Sequence, residues 1–112
     1  MKDLLDLAVM REMAAGCGWR LEELVGRYLR EVHTELEKLK KTSSVPEAKR
    51  VAHGLKGASA TAGVVGMTEV LRRIEDNDQP SEIEVLVRRA GEQLERVEAA
   101  LQEAAAKDRA GA

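Results

Sequence analysis

A stripe of apolar residues between Trp19 and Lys41 constrains this chain more than any other feature. Leu21, Leu24, Val25, Tyr28, Leu29, Val32, Leu36 and Leu39 follow one another at steps of one, three and four, which predicts one apolar face along a helix of about six turns. Such a face must be covered, and the rest of the chain supplies partners at the same period. Met67, Val70, Leu71 and Ile74 form one further stripe, and Ile83, Leu86, Ala90, Leu94, Val97 and Leu101 form another. No alternating pattern of useful length predicts a strand, and no internal repeat is present.

Breaks between the stripes carry their own signals. DLLDLAVMREMA, residues 3–14, predicts a short first helix stopped by Gly16 and Gly18 around Cys17. In TSSVPE, Ser44 is placed to cap a third helix, Pro46 falls in its first turn, and Glu47 completes a capping box. That helix is expected to run to about Ala62 and break at Gly63. The fourth ends near NDQP, and Ser81 with Glu84 predicts a second capping box at the start of the last helix. The expected fold is all-α, an antiparallel up-down four-helix bundle over residues 19–107. A short extra N-terminal helix within residues 1–16 lies across one end, residues 108–112 form a frayed tail, and residues 1–112 make a single domain.

Composition narrows the function classes. With 112 residues, no Phe and 2% aromatics, the chain has room for one core built from Leu, Val, Ile, Ala and Met. A net charge of −2 without a dense basic tract argues against nucleic acid and anionic membrane as partners. No uncharged apolar run is long enough to cross a bilayer, so a cytoplasmic location is expected. Cys17 is the one cysteine, which excludes an intrachain disulfide. Together with His33 and His53 it makes a poor structural zinc set. The glycines from Gly54 to Gly66 match neither nucleotide-binding glycine pattern, so no autonomous kinase activity is expected.

The segment AHGLKGASATAG, Ala52–Gly63, is unusual for a helix. On a wheel of about 100° per residue, Ala48, Val51, Ala52, Leu55, Ala58, Ser59 and Ala62 share the inward face, and His53 points roughly 160° away from its centre. A Ser59–His53 catalytic pairing is therefore a poor reading, since the two lie on opposite faces. The surface neighbours of His53 at i−4, i+3, i+4 and i+7 are Lys49, Lys56, Gly57 and Ala60. Gly57 and Ala60 leave a flat strip beside the imidazole, although glycine inside a helix costs about 1 kcal/mol relative to Ala. A docking face centred on His53 follows, with positive charge from Lys49, Arg50 and Lys56. The plainer possibility, an ordinary surface histidine with glycines that serve packing, has about equal weight from spacing alone. His33 reads as a boundary residue on the second helix, Trp19 as a cap on the bundle end, and Cys17 as an inert loop thiol.

The run His53-Gly54-Leu55-Lys56-Gly57-Ala58-Ser59-Ala60-Thr61-Ala62-Gly63 resembles the signature of histidine-containing phosphotransfer (HPt) domains, H-x-L-K-G followed by small residues and a glycine ten positions after the histidine. Ala52, the Ile74-Glu75 pair and the two long flanking helices extend the likeness over nearly the whole chain. Ala62 stands where that family commonly has a bulky aliphatic residue, Thr61 where a polar amide is frequent, and Tyr28 where Phe is common. The resemblance implies a phosphocarrier that accepts a phosphoryl group on His53 from the aspartyl phosphate of a response-regulator receiver domain and passes it to another receiver. It implies Nε2 as the nucleophile, Lys56 as the group that offsets phosphoryl charge, and Gly57 as the opening for the receiver's loops. It also implies Gly63 as a structural glycine, Mg²⁺ supplied by the receiver, and an upstream histidine kinase or hybrid kinase. The start at Met1 favours a freestanding monomeric shuttle. A phosphoacceptor domain of a larger histidine kinase and a helical interaction module without the chemistry are the alternatives. Replacing Gly57 by Glu or Lys is expected to weaken receiver docking in a pull-down or titration while the thermal midpoint holds or rises.

Overall fold

A computed structural model describes residues 4–111, and it is helical throughout, with five helices and no strand among those residues. They are α1 (Leu7–Gly16), α2 (Leu21–Lys41), α3 (Val45–Thr61), α4 (Val65–Glu75) and α5 (Pro80–Gly111). Helices α2, α3, α4 and α5 form a ring in which each packs on the next and α5 closes onto α2.

Cross-helix contacts fix the direction of two of these pairs. Glu22 meets Arg109 and His33 meets Glu98, so α2 and α5 run in opposite directions. Asn77, two residues past the end of α4, meets Glu82 near the start of α5, while the Gly66 carbonyl near the start of α4 accepts from Gln93 further along α5, so these two helices also run in opposite directions. At 32 residues, α5 is about 48 Å long, which matches the 47 Å long axis of the molecule. The last helix is therefore a spine against which the shorter ones are laid.

The predicted stripes form the core. Leu21, Leu24, Val25, Tyr28, Val32, Leu36 and Leu39 are buried from α2, Met67, Leu71 and Ile74 from α4, and the six predicted residues of the last stripe from α5. Leu29 and Val70 are only partly buried at the core's edge. From α3 the buried residues are the small Ala48, Ala52 and Ser59 with Leu55, which lets its neighbours approach closely. The Tyr28 hydroxyl, which would otherwise be stranded in this core, bonds the Ser59 hydroxyl at 2.8 Å. Burial pushes the Tyr28 phenol up to about 12, so it stays protonated and able to donate.

Several boundaries differ from expectation. Helix α1 starts at Leu7 rather than Asp3, which lies outside the described residues, because the Asp6 carboxylate caps it by accepting from the Val9 N–H at 3.2 Å. Ser44 does cap α3 through the Glu47 N–H, but Glu47 does not return the bond. Its carboxylate binds Arg50, and the Ser44 N–H is satisfied by the Thr42 hydroxyl instead. Ser81 caps nothing, since α5 begins one residue earlier with Pro80 in its first turn and the Gln79 carbonyl accepting from Ile83 N–H. Residues 108–111, expected to fray, continue α5, where Arg109 reaches back to Glu22 at 2.7 Å.

At the α3–α4 turn, two backbone hydrogen bonds tie the N-terminal segment to the bundle: Asp6 N–H to the Gly63 carbonyl, 2.8 Å, and Gly66 N–H to the Leu4 carbonyl, 2.9 Å. Gly63 has φ +79°, and a Cβ there would sit 2.7 Å from the Asp6 carbonyl oxygen. Both the left-handed conformation and the close approach demand glycine. A Cβ on Gly57, by contrast, meets nothing within 4 Å, so packing among the described residues gives no reason for that glycine. In chemical denaturation, Gly63→Ala is expected to lose about 2 kcal/mol or more, whereas Gly57→Ala should gain up to about 1 kcal/mol.

Candidate functional site

His53 stands where the wheel placed it, on the outer face of α3, with its side chain 71% exposed. Leu55 anchors the same turn in the core at 1% exposure, so the imidazole is carried by a helix that is fixed from behind. Gly54, Gly57, Ala60 and Thr61 are all exposed along the same helix. The flat strip expected from the sequence is present.

The sequence-level reading did not assign a role to Glu75. This residue ends α4, and the α3–α4 turn folds it back against α3, where one carboxylate oxygen lies 2.5 Å from His53 Nδ1 and the other 2.5 Å from Lys56 Nζ. Histidine and lysine sit three positions apart on one face, so a single carboxylate can span both. Glu75 is largely sheltered, with 22% of its side chain exposed, and Lys56 is 31% exposed. The Lys56 ammonium first, and His53 second, hold the Glu75 carboxyl below its ordinary range, so at neutral pH it is ionised and only accepts hydrogen bonds. Nδ1 must then be the donor. A neutral ring held this way carries its proton on Nδ1 and leaves the Nε2 lone pair facing outward.

The other cations placed near His53 by the sequence are already engaged. Lys49 binds Asp78 at 2.6 Å and Arg50 binds Glu47 at 2.6 Å. With Lys56 on Glu75, all three positive groups are offset by carboxylates. The positive charge expected on this face from Lys49, Arg50 and Lys56 is present but largely balanced by those partners. Of the partners, Glu47 was legible at i−3 from Arg50, while Asp78 and Glu75 come from beyond the turn.

Residues outside this cluster take lesser places. His33, exposed on α2, bonds Glu98 of α5 through Nε2 at 2.7 Å. Trp19 is half-buried at the α1–α2 junction with the Arg27 guanidinium 4.5 Å over its ring. Cys17 is an exposed free thiol at the end of α1. No group of three or more His, Cys, Asp or Glu residues is arranged to hold a metal ion among the described residues.

The family model of the Hpt domain matches residues 23–107, a span that holds nearly all of α2, all of α3 and α4, and most of α5. The chain belongs to the Hpt domain family. Membership supports a histidine phosphotransfer role in a phosphorelay, and α1 with its Leu4–Asp6 lead-in lies outside the matched span of this Hpt domain. No curated protein and no solved structure matches the chain significantly.

Because Lys56 is the larger cause of the Glu75 shift, Lys56→Ala should move the Glu75 titration up toward the ordinary 4.5, and by more than His53→Gln does. Carboxyl-carbon NMR reads both midpoints. The stability that this tie contributes is present above the unfolded-state value and is lost as pH falls through the lower folded value.

Proposed function

We propose that the protein is a cytoplasmic phosphocarrier that accepts a phosphoryl group on Nε2 of His53 from the aspartyl phosphate of a receiver domain and delivers it to a second receiver. The observation that carries this reading is the contact between Glu75 and Nδ1 of His53. It supports a proton on Nδ1 and, with it, the exposed Nε2 as the nucleophile.

In the forward step the Nε2 lone pair forms a bond to phosphorus as the acyl O–P bond breaks, and the departing electron pair returns to the receiver's aspartate. The ring gains positive charge while its Nδ1 proton stays in place, and the adjacent Glu75 carboxylate offsets that charge. Lys56 lies one turn from the nucleophile and is held at the ready by Glu75, within reach of phosphoryl oxygens once they arrive. Transfer to the second receiver is the same exchange run in reverse, with the Nε2–P bond as the one that breaks. Phosphoryl transfer depends chiefly on such positioning and electrostatic help.

The receiver would approach over Gly57 and Ala60, where nothing rises beside the imidazole, with Lys49 and Arg50 at the flank. Mg²⁺ would assist from the receiver's own carboxylates. Association over so balanced a face should depend only modestly on salt. Incubation with a labelled phospho-receiver should place acid-labile, base-stable label on the wild type and none on His53→Gln. Label that persists on the variant removes His53 from this role. Lys56→Ala should slow transfer about tenfold to a hundredfold with the bundle intact, and an unchanged rate would remove the lysine.

A further inference from the structure

A groove of about 740 Å³ runs along the α2–α5 seam, at the end where α2 passes into α3. It lies across the helix ring from the α3–α4 seam that holds His53 and Glu75. Leu39, Val45, Ala48, Ile83 and Val87 give it an apolar lining, and Gly91 continues that lining on α5. The α5 wall extends from Pro80 to Glu95, about 22 Å of helix.

Two observations set this groove apart from an ordinary irregularity of the surface. Glycine is disfavoured inside a helix, yet a Cβ on Gly91 would meet nothing within 4 Å. No close packing among the described residues accounts for it, and it adds no side chain to the groove wall. The charges beside it are also uncompensated. Glu84, Glu92 and Glu95 line the groove, and none forms an ion pair among the described residues, although Glu98 one turn further on is tied to His33. Of the two cations on the lining, Lys40 is held by Glu37, and Arg88 pairs with neither Glu84 nor Glu92. The rim therefore carries an excess of negative charge above an apolar floor.

We propose that this groove is a second docking site, which takes an amphipathic helical segment of a partner protein. Apolar side chains of the segment pack on half-buried Val45 and Gly91 and on the small part of Ile83 and Val87 that the core leaves open, while its lysines or arginines meet Glu84, Glu92 and Glu95. A helix of about fifteen residues matches the length of the α5 wall. The groove takes Val45 and Ala48 from the helix that carries His53 but includes none of His53, Lys56, Gly57 and Glu75, so the segment need not cover the histidine. The site stands or falls independently of the phosphotransfer reading.

The test titrates the full chain with a synthetic amphipathic peptide of about fifteen residues, leucine on one face and lysine on the other, and with its glutamate counterpart, by amide NMR. The lysine peptide should shift Leu39, Val45, Ile83, Val87 and Gly91 and leave His53 and Gly57 unmoved. Gly91→Leu fills the groove while favouring the helix and should weaken binding about tenfold, as should the Glu84→Lys/Glu92→Lys pair. Glu12→Lys, on α1 away from the groove, should leave affinity unchanged. Shifts mapping elsewhere, equal binding of the glutamate peptide, or full affinity in Gly91→Leu would overturn the proposal. So would self-association of the chain through these same residues, which would make a second copy the occupant.

Discussion

The turn at Gly63 is the constraint from which the rest of the site follows. A residue in the left-handed region there reverses the chain after α3 and lets the Asp6 backbone sit against it. Eleven residues of α4 then carry Glu75 back alongside the middle of α3. Had the turn been longer by one residue, α4 would rotate by about 100° and a different side chain would face His53. The geometry of the imidazole is thus settled by a backbone conformation some ten positions away.

Glu75 concentrates three tasks in one carboxylate. It aligns the ring, assigns the proton and holds a lysine within reach, while both of its partners keep it ionised. A pair formed with only one of them would leave either the tautomer or the lysine to solvent. On the opposite side of α3, the Tyr28–Ser59 bond restrains the same helix from within the core. The histidine is therefore fixed by contacts on two sides although most of its own surface is bare.

Much of this was legible in the sequence, and for identifiable reasons. Helix stripes are local and periodic, so the helix content, the inward residues and the outward direction of His53 could be read directly. The Ser44 cap was also local, and it formed. Its reciprocal arm did not, because Arg50 competed for Glu47 and Thr42 supplied a substitute. The Ser81 box failed where Pro80 offered an earlier start. What could not be read was contact across the turn: Glu75 is 22 positions from His53 and Asp78 is 29 from Lys49. Such pairings depend on helix register, which no spacing rule within one helix encodes. The Ile74-Glu75 pair was visible as a feature of the resemblance, but its role was not. The continuation of α5 past Lys107 was missed for the same reason, since Arg109 is held by a residue near the start of α2.

The openness of the histidine has a consequence for anything bonded to it. A group attached to Nε2 would project from the open side of a ring whose side chain is 71% exposed, with Glu75 of α4 on the Nδ1 side. Its lifetime is then governed by the bond's own reactivity and by how soon a recipient arrives. On the proposed phosphotransfer reading, such a site suits quick hand-over better than storage.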